Sequence, residues 1–141
     1  MSTTIRNEVS KRNPYYIPKH RYLELKHFCL QYPIWKKAAE SLLGLQSKPD
    51  YILQRAFGKH VLRSSPTELV AEARENFLGK MSIIEKAAKL ADSTVSDALI
   101  ECVTKGRSYD KLNASRIIPC GRTNFYILYR KFFWILSNLR D

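Results

Sequence analysis

Between Arg122 and Lys131 the chain sets Arg122, Thr123, Asn124, Tyr126, Arg130 and Lys131 close together. Two guanidiniums, an ammonium, an amide and two hydroxyls are the groups that read base edges or neutralise phosphates. Arg122 can take a guanine edge or clamp a phosphate. Arg130 and Lys131 suit the backbone, and Asn124 and Tyr126 can contact either. Gly121 stands at the expected cap, where free helix-terminal amides suit a phosphate. Lys105, Arg107, Lys111 and Arg116 add four cations just upstream. The chemistry implied is the holding of nucleic acid.

Such groups work only if a helix displays them. The pattern predicts a short helix from Ser108 to about Ser115, a turn through Ile117, Ile118, Pro119 and Cys120, and a long helix starting near Gly121. That is a helix-turn-helix whose second helix offers its N-terminal end. Phe125, Leu128, Phe132, Ile135 and Leu139 recur at spacings of three and four and are expected to form the core stripe, with Tyr129 and Leu136 on its edge. Tyr109 and Leu112 are expected under the turn, with Ile117 or Ile118 as its plug. Phe133 and Trp134 lie off the stripe. Together with Trp35 they are expected to form an interface, covered by the N-terminal aromatic helices or by a second copy.

Ahead of this motif, residues 1–17 are polar, basic and without periodicity, and read as a flexible basic arm that could fold onto DNA. Residues 18–45 read as a helical hairpin. Tyr22, Leu25, Cys29 and Tyr32 recur at helical spacing in its first helix. Pro33 is expected to end or kink that helix, a second covers Ile34 to Leu43, and Gly44 caps it. Residues 46–64 read as a linker or hinge, with a short helical segment from Tyr51 to Phe57. The domain 65–141 opens on Ser65-Pro66-Thr67-Glu68, a capping box with proline in the first turn. A helix to about Leu90 follows, with Gly79 as an expected bend. Another runs from Thr94 to Lys105 and stops at Gly106. No stretch alternates as a strand would. The fold class expected is all-α: a small helical domain with a C-terminal helix-turn-helix at 108–140 and an N-terminal helical hairpin.

Charge follows the same division. The formal net charge is +11 over 141 residues, which predicts attraction to a polyanion. From Ser64 to Thr104 four basic residues face seven acidic ones, whereas from Lys105 to Asp141 eight face two. The first 63 residues hold twelve against four. Positive charge therefore avoids the central helices and gathers at the two ends.

Other chemistry finds little support. No glycine-rich phosphate loop, nucleophile elbow or metal-ligand spacing is present, and Glu72 and Glu75 are ordinary solvated helix positions. Cys29, Cys102 and Cys120 are far apart and odd in number, which reads as reduced thiols in a cytoplasmic protein. No enzyme activity, cofactor or metal is expected. No run reaches membrane-span length and no signal-peptide core opens the chain.

The segments I-E-K-A-A, V-T-K-G-R-S-Y-D-K-L and I-P-C-G-R-T-N-F-Y-I-L-Y-R-K-F-F-W-I-L resemble the region-4 helix-turn-helix of sigma-70-like factors. More narrowly, they are similar to small phage and prophage regulators of the RinA/ArpU type. Y-L-E-L-K-H-F-C-L-Q-Y-P-I-W-K-K resembles the N-terminal helix of that group. The resemblance implies a phage-encoded activator of late genes, acting on double-stranded DNA near host RNA polymerase in the bacterial cytosol. Pro119-Cys120-Gly121 departs from the serine or threonine cap of such motifs. A homodimer is compatible with this reading. The aromatic content supports an alternative, a small phage inhibitor of a host nucleic-acid-handling complex such as a CRISPR effector or RNA polymerase. A further alternative is a small terminase subunit, which also uses a helix-turn-helix.

Overall fold

The computed structural model describes residues 13–46, 66–115 and 117–140. Residues 1–12 of the expected arm, nearly all of the expected linker, the Tyr51–Phe57 segment, Ser65 and Arg116 lie outside them. The described part is all-α, with no strand. Its six helices are α1 (Lys19–Leu30), α2 (Tyr32–Gln46), α3 (Pro66–Ala91), α4 (Ser96–Lys105), α5 (Tyr109–Ser115) and α6 (Arg122–Arg140). The chain divides into two compact units. One holds residues 1–32 and 82–141, and the other residues 33–81. The division separates α1 from most of α2, the two helices expected to form a hairpin.

In the larger unit α1 packs on α4 and α6, and α5 packs between its two neighbours in sequence. Tyr22, Leu25, Phe28 and Cys29 recur at helical spacing on α1, and all four are buried. The later part of α3 supplies Ile84, Ala87, Ala88 and Ala91, also at spacings of three and four. From α4 come Ala98, Leu99, Cys102 and Val103, and from α5 Leu112. Phe125, Phe132 and Phe133 of α6 are completely buried. Removing each such ring from water stabilises the fold by roughly 1.5–3 kcal/mol.

Local chemistry sets the boundaries. Gly106 adopts φ +67°, the left-handed region, and ends α4 as expected. Such a residue closes a helix at little cost only when it has no Cβ. Pro33 does not end α1. That helix stops at Leu30, and Pro33 sits in the first turn of α2, where a missing amide hydrogen costs nothing. Gly44 does not cap α2, which runs on to Gln46. Gly79 likewise lies within continuous α3.

The smaller unit buries Trp35, Ala39, Val70 and Met81. The Lys80 ammonium lies 5.6 Å from the centre of the Trp35 ring, a cation–π distance.

Residues 13–17 are not a loose arm. The Tyr15 amide donates to the Asn13 side chain at 2.9 Å and the Tyr16 amide to the Asn13 carbonyl at 3.0 Å. This is an Asx-stabilised turn at the Asn-Pro step. It delivers Ile17 into the core, where it is buried.

Candidate nucleic-acid interface

The helix-turn-helix is joined at several points. The Ser108 hydroxyl accepts the Lys111 amide at 3.3 Å and the Ser108 carbonyl accepts the Leu112 amide at 3.0 Å, so Ser108 starts α5. Across the turn, the Tyr109 hydroxyl donates to the Cys120 carbonyl at 2.8 Å. Asn113 accepts the Ile118 amide at 3.0 Å. Ile118 is the buried plug, and Ile117 is 91% exposed. Residues between two helices that do not continue each other must satisfy their backbone groups with side chains, and Tyr109 and Asn113 do so here.

The buried face of α6 is Phe125, Tyr129, Phe132, Phe133 and Leu136. It is turned by roughly 60° from the expected stripe, taking about 100° per residue. Leu128 and Ile135 are only half-buried, and Leu139 is exposed. The reason is α1, which meets the aromatic side of α6. Tyr22 lies 5.1 Å from Phe133 and 6.5 Å from Tyr129, ring centre to ring centre. Their hydroxyls are 2.7 Å apart and buried. Burial first, and the Tyr22 phenol second, push the Tyr129 phenol far above its ordinary range. At the far end of α6, Arg21 donates to the Ser137 hydroxyl and carbonyl, both at 3.0 Å. Arg21 and Arg140 also share one oxygen of Glu24 at 3.0 Å each. Arg140 stacks on Phe28 at 4.1 Å.

The opposite face decides what α6 can offer. Arg122, Thr123 and Asn124 are all exposed on its first turn. Lys131 is half-buried, two turns further on. Lys105, Arg107 and Lys111 are exposed around the start of α5. This leaves seven of the expected contact residues on the helix-turn-helix or just ahead of it, six exposed and Lys131 half-buried. Two acidic groups border them. Asp110 lies 3.6 Å from Arg122, both well exposed. The Asp92 carboxylate is held below the usual carboxylate range. The chief causes are hydrogen bonds from the Thr94 hydroxyl and amide, with Lys131 as a small contributor.

Tyr126 requires a correction. Its ring is half-buried between Phe125 and Tyr129, at 5.6 and 6.2 Å, and its hydroxyl accepts the Tyr109 amide at 3.1 Å. The hydroxyl satisfies a free amide at the start of α5, so Tyr126 joins the motif together and does not face a ligand. Of the two covers expected for the aromatic residues, the N-terminal helices supply the one at Phe133, through Tyr22. Phe133 and Trp35 are interior residues. Of the three, only Trp134 keeps substantial surface, 39% exposed, and Tyr15 covers part of it with ring centres 5.7 Å apart.

Arg130 is different again. Its Nε is buried and makes no hydrogen bond. With Ile127 it borders a cleft of about 290 Å³, closed on the other side by Asn13, Pro14 and Tyr15. The cleft is not legible in the sequence, because residues 13–15 lack periodicity. The Asn13-Pro14 turn signal was the one available clue.

Among the described residues no group of histidine, cysteine and carboxylate side chains could hold a metal ion. No described helix is long and apolar enough to cross a membrane. No family model, curated protein or solved structure matches this chain.

Proposed function

We propose that this chain is a DNA-binding regulator that docks the first turn of α6 on duplex DNA. The observation that carries the reading is the placement of Arg122, Thr123 and Asn124, all exposed at the start of a helix whose other face is buried. Exposed Lys105, Arg107 and Lys111 lie around the same motif and suit flanking phosphates. The +11 net charge favours the encounter. The finer reading, a phage late-gene activator of the RinA/ArpU type working beside RNA polymerase, rests on the sequence resemblance alone. A mobility-shift titration against a random duplex pool tests it. Arg122→Ala weakens binding while the melting temperature holds, and binding falls steeply with salt. A protein that shows neither a salt-sensitive nor a sequence-preferring complex is not this regulator.

The reading as an inhibitor of a host complex drew on the aromatic content. Much of that content lies inside: Tyr22, Phe125, Tyr129, Phe132 and Phe133 are core residues. They are not available to a partner, which favours the DNA reading.

A further inference from the structure

The cleft between the Asn13–Tyr15 turn and α6 lies apart from the first turn of that helix, and duplex contact by Arg122, Thr123 and Asn124 makes no use of it. Its walls have two kinds of surface. Pro14, Tyr15 and Ile127 present ring and aliphatic carbon. Arg130 adds the positive charge of its guanidinium to the lining. Ligand sites share this composition, mostly apolar with a few placed polar groups. At about 290 Å³ the space is at the small end for such sites. It suits one ring system and is too small for an extended ligand.

We propose that this cleft takes one unpaired nucleotide of a DNA strand, with its base against Tyr15 and Ile127 and its phosphate beside the Arg130 guanidinium. A base brings together a flat apolar face and hydrogen-bond acceptors at its edge, and its phosphate matches the guanidinium charge. An acidic peptide would use the guanidinium but leave the ring walls without a flat partner. The Asn13 turn makes the site durable, because the Tyr15 amide on the Asn13 side chain and the Tyr16 amide on the Asn13 carbonyl hold the turn before any ligand arrives. Trp134, packed at 5.7 Å against Tyr15, backs the wall. The proposal takes its partner class from the nucleic-acid reading, but it does not depend on duplex contact by Arg122.

The test is fluorescence polarisation with three labelled probes: a fully paired duplex, the same duplex with one bulged thymidine, and its single strand. The full chain binds the bulged probe roughly ten-fold or more tighter than the paired one, the range that stacking one base on an aromatic ring supports. Tyr15→Ala and Arg130→Ala each erase most of that preference, and Tyr15→Ala leaves affinity for the paired duplex as in the wild type. Arg122→Ala weakens both duplexes by the same factor. Circular dichroism melts confirm that each variant folds. Equal affinity for the paired and bulged duplexes overturns the cleft while leaving the duplex reading intact, as does a preference that survives Tyr15→Ala. Binding of the single strand alone, lost in Tyr15→Ala, supports the cleft and removes the duplex reading. Single-strand binding unchanged in Tyr15→Ala, or no binding to any probe, overturns the cleft.

Discussion

The hydroxyls of Tyr22 and Tyr129 meet at 2.7 Å in the interior, joining the first helix to the last across 107 positions of sequence. Each phenol satisfies the other. Tyr22→Phe removes the partner of the buried Tyr129 hydroxyl, at a cost of about 1–3 kcal/mol, and Tyr129→Phe deletes the same bond from the other side. Replacing both removes the stranded group and costs less than the two single changes added together. Urea denaturation of the four proteins in a double-mutant cycle checks this, and strict additivity would show that the two hydroxyls do not interact.

Tyr126→Phe separates structure from recognition. The change deletes the acceptor of the Tyr109 amide and leaves the ring in place. Stability falls by about 1 kcal/mol, while duplex affinity measured below the melting transition stays within two-fold. A large loss of affinity with unchanged stability would return Tyr126 to the contact surface.

The thiols report on the core. Burial raises all three thiol pKa values. Cys102 is pushed up to about 12 and Cys29 higher still, while half-exposed Cys120 is moved least. Only thiolate reacts quickly. A thiol-specific chromogenic reagent at pH 8 therefore titrates Cys120 first, and Cys29 and Cys102 follow only as the protein unfolds. Rapid reaction of Cys29 in the native protein would contradict the packing of α1 on α6.

Asp92 links stability to acid. Its folded pKa is depressed, so its contribution is fully present above the ordinary aspartate value, about 3.9, and is lost as pH falls through the lower folded value. Asp92→Asn carries no charge to titrate. The variant melts below the wild type at neutral pH, and the gap narrows below about pH 4. Melting curves taken from pH 7 down to pH 3 measure the gap, and a constant difference across that range would exclude the linkage.

Gly106→Ala tests the turn between α4 and α5. No atom crowds the position of the new Cβ, so the cost arises from the left-handed backbone alone. It amounts to about 1–2 kcal/mol, read as a lower urea midpoint with unchanged slope.

Two boundaries set by backbone chemistry were legible in the sequence, whereas Pro33 and Gly44 lie inside α2 and marked none. Pro66 opens α3 and Gly106 closes α4 as expected, because proline and glycine act through φ and not through neighbours. The helix-turn-helix was legible too, since Tyr109, Leu112 and Phe125 lie close enough in sequence to pack with one another. The buried face of α6 was not. Leu128, Ile135 and Leu139 on one side and Tyr129, Phe133 and Leu136 on the other are about equally apolar. Only the distant α1 chooses between them, and that choice is tertiary. Tyr126 was misread for a related reason. A tyrosine between a polar and an apolar face serves either, and the free amide that claims its hydroxyl belongs to another helix. The cleft at Arg130 was hidden because its second wall comes from residues more than a hundred positions away.

The joining of α1 to α6 also has a consequence for synthesis. Arg21 waits for Ser137, 116 residues downstream, before its hydrogen bonds can form. At ribosomal rates of about 5–20 residues per second, that interval is roughly 6–23 s. Until it ends, the apolar side of α1, with Tyr22, Leu25, Phe28 and Cys29, has no α6 to cover it. The newborn chain is therefore most vulnerable to chaperone capture or misassociation while its C-terminal third is still being made.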